Sequence, residues 1–179
     1  MAISKFDHIG IVVEDLDAAL EHFRTLFDVD DRRLIYERDY QDINNDTGLV
    51  DVMHFCLFPV GQVWFELVEP ASDGPMRTFL ERTGGGVHHI AITSDNVRED
   101  WRKHTAEGSE LGVVNDKPRV DQYDVSYWFL HPKKNHGVLF EVDTEWAKTS
   151  ASDMTPIEPT PDRNSELAHA TGGADGASS

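Results

Sequence analysis

Hydrophobic and polar positions alternate along His8-Ile9-Gly10-Ile11-Val12-Val13, which predicts a strand with two distinct faces. His8, Gly10 and Val12 share one face, and Ile9, Ile11 and Val13 share the other. The pattern then changes to a helical period. Leu16, Ala19, Leu20, Phe23 and Phe27 fall on one side of a helix over residues 16–27, preceded by acids suited to cap it. The same succession returns at His89-Ile90-Ala91-Ile92-Thr93, followed by a helix over residues 97–107 that is anchored by Val97 and Trp101 and stopped at Gly108. Strand-like runs follow in each half, at residues 33–38 and 49–58 in the first and 111–114 and 125–130 in the second.

Each half also closes alike. Val63-Trp64-Phe65-Glu66-Leu67-Val68 matches Val138-Leu139-Phe140-Glu141-Val142-Asp143, so the chain reads as a repeated β-α-β-β-β unit. A short helix over residues 75–81 joins the units, with Pro75 at its first turn and the Gly84-Gly85-Gly86 run as its stop. The fold class expected is α+β, with two tandem modules (about 3–70 and 84–146) forming a curved mixed sheet within one domain, 1–147. Residues 148–179 are rich in Ser, Thr, Pro, Ala, Gly and acids, which predicts a disordered acidic tail.

Composition narrows the partners. The formal charge of −17 disfavours nucleic acid, which demands a basic face. No apolar run approaches the length of a membrane span, and the first residues lack the apolar core of a secretory signal, so a cytoplasmic protein is expected. Cys56 is the single cysteine, which rules out an internal disulfide.

Candidate chemistry lies at the ends of the repeat. Each module opens a strand on a histidine, His8 or His89, and sets a glutamate, Glu66 or Glu141, in its last apolar strand. A carboxylate in such a run is costly to bury without a cation or a proton. A sheet curling on itself would gather two imidazoles and two carboxylates. That donor set suits a borderline or hard divalent ion: Co, Zn, Mn, Ni or Fe. His88 is expected on the opposite side of its strand, in packing or hydrogen bonding; His131 in a turn; and His22, His104 and His136 on the surface.

These segments resemble the vicinal oxygen chelate (glyoxalase/dioxygenase) superfamily, and within it most closely the methylmalonyl-CoA epimerases. The likeness is carried by Phe6-Asp7-His8-Ile9-Gly10-Ile11-Val12-Val13, Phe65-Glu66-Leu67-Val68-Glu69-Pro70, Gly86-Val87-His88-His89-Ile90-Ala91-Ile92, Phe129-Leu130-His131-Pro132-Lys133 and Gly137-Val138-Leu139-Phe140-Glu141. The resemblance implies metal ligands at His8, Glu66, His89 and Glu141. It implies an isomerase that removes the alpha proton of a methylmalonyl-CoA-like acyl-CoA thioester through a metal-stabilised enolate. Glu141 would be ligand and acid/base together, and Asp51, where some epimerases carry a glutamate, would serve the opposite face. Many relatives dimerise, so a homodimer is allowed for. A glyoxalase I-type lyase, an Fe(II) ring-cleaving dioxygenase and a metal-free sequestering protein are the alternatives. Lys117, Arg119, Lys133 and Lys134 are the cations nearest the second module, with no phosphate-binding role assigned to them. Residues 36–47 are read as an insertion over the pocket.

Overall fold

The computed structural model describes residues 3–43, 47–106, 110–115, 117–121 and 126–144. The expected tail, and Gly108 as a helix stop, lie outside the described residues. Eight strands form one closed barrel in the order β1-β4-β3-β2-β6-β7-β8-β5. The first module supplies β1 (Ile3–Val12), β2 (Ile35–Ile43), β3 (Val50–Val60) and β4 (Val63–Pro70). The second supplies β5 (Gly86–Ser94), β6 (Arg119–Asp121), β7 (Ser126–Leu130) and β8 (Phe140–Asp143). Each module carries one helix after its first strand, α1 (Leu16–Leu26) and α3 (Val97–Thr105), and α2 (Pro75–Thr83) joins the two. Both modules therefore have β-α-β-β-β order, and the curved mixed sheet closes on itself. No described helix is long and apolar enough to cross a membrane.

Local chemistry sets the element ends. Asp15 accepts the Ala18 N–H at 2.9 Å to cap α1, and Asn96 accepts the Glu99 N–H at 3.1 Å to cap α3. Gly84, at φ 75°, takes the left-handed turn that ends α2. The strand faces follow the sequence alternation. Ile11, Val13 and Phe65 pack outward with Leu67 against Leu16, Leu20 and Phe23 of α1. Ile92, Trp128, Leu130 and Val142 make the matching outer core with Val97 and Trp101 of α3. Burying an aliphatic side chain of this kind contributes about 1.5–3 kcal/mol. Inside the barrel, Ile35, Tyr40, Met53, Phe55, Leu57, Trp64 and Val68 fill the first module's side.

Three expectations change. The run at 33–38 is a 3₁₀ turn (Asp31–Arg33) followed by β2, which continues to Ile43. Residues 36–47 are thus not an insertion over the pocket, since most of them form a barrel strand. The alternation was hidden because Asp39 sits at φ 57° and the β2–β3 register shifts between Glu37 and Tyr40. Such a bulge swaps the faces on either side of it. Residues 111–114 form no strand: they touch the sheet by a single bridge, Val113 to Leu130, and the strand role falls to β6.

The modules meet along two seams. At the first, β1 runs antiparallel to β5 through a long register that includes Ile9 opposite Ile90 and Gly10 opposite His89. At the second, among the described residues, β2 pairs with β6 at Asp42 with Asp121 and Ile43 with Val120. Four strands separate the seams in either direction, so they form opposite walls.

Candidate metal centre and the opposite wall

The first seam draws together the residues the repeat singles out. His8 comes from β1, His89 from β5, and Glu66 and Glu141 from the flanking β4 and β8. The His8 and His89 Nε2 atoms are 3.1 Å apart. Glu66 Oε2 lies 3.5 Å from His8 Nε2 and 3.4 Å from His89 Nε2. Glu141 Oε2 lies 3.3 Å from His89 Nε2. The two histidines are 4% and 2% exposed, so this polarity is held almost out of water.

Gly10 makes the approach possible. A Cβ on Gly10 would fall 2.1 Å from His89 Cε1, so any side chain there would displace the imidazole. Behind the rings the modules differ. His8 Nδ1 is 3.0 Å from Asp7 Oδ2, whereas His89 Nδ1 is 3.0 Å from His88 Nδ1. His88 stands edge-on to Phe79 of α2 and also lines the cavity, so it does not turn away from the site as the strand alternation predicts.

The donor set fits a divalent ion. Two donors each about 2.1 Å from a metal are separated by roughly 3.0–3.4 Å at right-angle to tetrahedral geometry. The nitrogen and oxygen atoms here are spaced 3.1–3.5 Å. His8, Glu66 and His89 form the compact group able to hold an ion, and Glu141 adjoins it through His89.

Charge is unevenly shared among these groups. Burial lowers the basicity of His8, but Glu66, Asp7 and Glu141 outweigh it and raise its pKa well above the ordinary value. Glu66, touched by both histidines, is held far below the usual carboxylate range despite its burial. Glu141 is pushed up to about 7 by burial, with Asp143 and Glu66 adding like charge. His88 is lowered to about 4 by burial and by His89.

A cavity of about 210 Å³ extends from this cluster to the opposite wall. That wall was not read from the sequence. Arg119 Nη2 donates to Asp42 Oδ2 at 2.7 Å and to Asp51 Oδ2 at 2.9 Å. The Tyr40 hydroxyl donates to Asp121 Oδ2 at 2.6 Å, and the Tyr127 ring lies 5.9 Å from the Arg119 guanidinium. Asp51 therefore lines the cavity as expected, but as the partner of an arginine. Arg119 is buried among these acids, whereas Lys117, Lys133 and Lys134 are exposed. Alternation in Tyr40-Gln41-Asp42 and Arg119-Val120-Asp121 was the available signal, since the outer two of each triplet are buried and face one cavity.

The other histidines have local tasks. His131 Nδ1 accepts the Lys133 N–H at 3.1 Å, and His54 Nδ1 accepts the Asp39 N–H at 3.0 Å beside the bulge. His104 is half-buried against Trp128 rather than on the surface, while His22 and His136 are exposed.

The chain is similar to several known proteins. The chain is 27% identical over 143 residues to the ethylmalonyl-CoA/methylmalonyl-CoA epimerase of Cereibacter sphaeroides, covering 79% of this chain and 98% of that one. It is 28% identical to the uncharacterized protein YqjC of Bacillus subtilis, covering 78% and 91%. A substituted methylmalonyl-CoA epimerase of Streptomyces coelicolor, solved in complex with 2-nitronate-propionyl-CoA, superposes with a TM-score of 0.59 at 30% identity, covering 80% and 95%. The model of one family matches residues 7–129. With its paired modules, closed sheet and inward histidines and glutamates, the chain belongs to the glyoxalase/bleomycin resistance protein/dioxygenase superfamily.

Proposed function

We propose that this protein is a cytoplasmic, divalent-metal-dependent epimerase acting on methylmalonyl-CoA or a similar acyl-CoA thioester. The observation that carries the reading is one cavity lined on opposite walls by two acids, Glu141 beside the histidine cluster and Asp51 on β3. Epimerisation requires such a pair, because one group takes the alpha proton and another returns one to the opposite face. Relatives named as methylmalonyl-CoA epimerases support the substrate class.

His8, Glu66, His89 and Glu141 would hold the ion. A divalent ion supplies Lewis-acid stabilisation of negative charge on oxygen next to the reacting carbon. The remaining work belongs to the side chains. Glu141, raised to about 7, holds or releases a proton near neutral pH. Asp51 exchanges the proton on the other face. The cavity of about 210 Å³ is smaller than the ~300–1,000 Å³ of pockets that enclose drug-sized ligands, so it suits an acyl head with the CoA outside. Phe129, Leu139, Met53 and Val68 line it and exclude water from the acyl group.

The test is to mix the R form of methylmalonyl-CoA with metal-loaded protein in deuterated water. Exchange of the alpha proton and appearance of the S form are expected. Metal-loaded protein giving neither would overturn the reading, and turnover of a glutathione hemithioacetal instead would select the lyase.

One observation favours a second reading. The compact group of two histidines and one carboxylate is also the donor set of Fe(II) oxygenases. In that case Glu141, rather than Glu66, is the dispensable donor, and Glu141→Ala protein keeps its iron and consumes oxygen with a catechol.

A further inference from the structure

We propose that Arg119 is a positioning residue that aims Asp51 at the substrate carbon, so that the second module orients the first module's proton-transfer group. This rests on the epimerase reading and deepens it.

Three observations converge. Arg119 sits on β6 and Asp51 on β3, and their contact at 2.9 Å spans the second seam. The same Nη2 atom holds Asp42 of β2 at 2.7 Å, which fixes the guanidinium from the intervening strand. Asp51 is confined on another side by Gly74, the residue that starts α2. A Cβ there would come within 2.4 Å of Asp51 Oδ1, so this glycine leaves the carboxylate its room.

An alternative role for Arg119, capture of a substrate carboxylate or phosphate, fits poorly. Its charge is already shared by two aspartates, and Asp121 lines the same cavity. Orientation is the role that remains for a buried cation bonded to a cavity-lining acid. Placement matters at this scale, since a misplacement of about 1 Å can cost roughly 100-fold in rate.

In a two-group epimerase each group removes the proton of one enantiomer. The experiment therefore follows alpha-proton exchange in deuterated water from the R and S forms of methylmalonyl-CoA separately. Wild-type protein is compared with Arg119→Gln, Arg119→Lys and Asp51→Asn, all metal-loaded and with metal content measured. Asp51→Asn should abolish exchange from one enantiomer only. Arg119→Gln should slow exchange from that same enantiomer by about 100-fold in kcat, leaving KM and metal content unchanged. Arg119→Lys should recover part of the loss and serves as the folded comparison if the glutamine variant unfolds. Equal losses for both enantiomers, or a rise in KM with kcat kept, would overturn the proposal for Arg119 alone. Asp51→Asn protein exchanging both enantiomers normally would instead overturn the reading of Asp51.

Discussion

The two seams of the barrel join the same pair of modules by opposite means. At the β1–β5 seam long strands pair over many residues, and the side chains are free to converge on a common point. At the β2–β6 seam an arginine, three aspartates and two tyrosines line the cavity, and Arg119 ties the modules together through Asp42 and Asp51. At one seam Gly10 lies opposite His89, which lets the two imidazoles approach and leaves no room for a side chain between them. At the other, the modules touch through buried charge, which stabilises little yet is costly to break. Under the proposed reading the first wall would hold an ion, and the second would hold one carboxylate in place.

The sharpest way to break this contrast is to put a methyl group on Gly10. Gly10→Ala places a Cβ 2.1 Å from the His89 ring, directly across the strand pair. We expect a loss of about 1–3 kcal/mol in stability from overpacking. Divalent-metal affinity should fall by about 100-fold, the upper end of the cost of losing ligand support. Calorimetry and metal titration measure the two. Unchanged metal affinity would show that the seam bends and that His89 is not placed by it.

The sequence announced the first seam because its chemistry repeats. His8 and His89 lie at equivalent positions, as do Glu66 and Glu141, and each sits in an apolar run where a polar group stands out. The second seam has no such echo. Asp42 and Tyr40 follow a bulge that breaks the alternation leading into them. The pairing of Arg119 with Asp42 and Asp51 arises only once the sheet closes, a long-range event that no local pattern records. His88 has the packing and hydrogen bonding expected of it, but helix α2, which supplies Phe79, helps make its surroundings part of the cavity wall.

A smaller effect is expected at the second wall. Tyr40→Phe removes the hydroxyl that donates to Asp121 at 2.6 Å and leaves a buried acceptor short of one partner. The loss should be about 1–3 kcal/mol in stability. Metal affinity should stay within about twofold, since no donor of the first seam is touched. A fall in metal affinity comparable to that of Gly10→Ala would mean that the walls act as one unit.

Proton competition gives the finest separation of the two walls. Glu141 is pushed up to about 7 by burial, so in metal-free protein it is mostly protonated below that pH. A cation using this carboxylate must displace the proton, and uptake then releases it to solvent. The Glu141 proton should cost nothing above pH 7 and should lower affinity by roughly tenfold for each unit below it, because the deprotonated fraction falls in that proportion. His8, raised by Glu66 and Asp7, adds a second proton to displace and steepens the fall in the same direction. Glu66 stays ionised throughout and contributes no slope. Titrating the metal by calorimetry in buffers of different ionisation enthalpy measures both affinity and protons released. Glu141→Gln should flatten the profile, while Arg119→Gln, on the far wall, should leave it in place. A profile that shifts with Arg119 would show charge at the second seam reaching the first across the cavity.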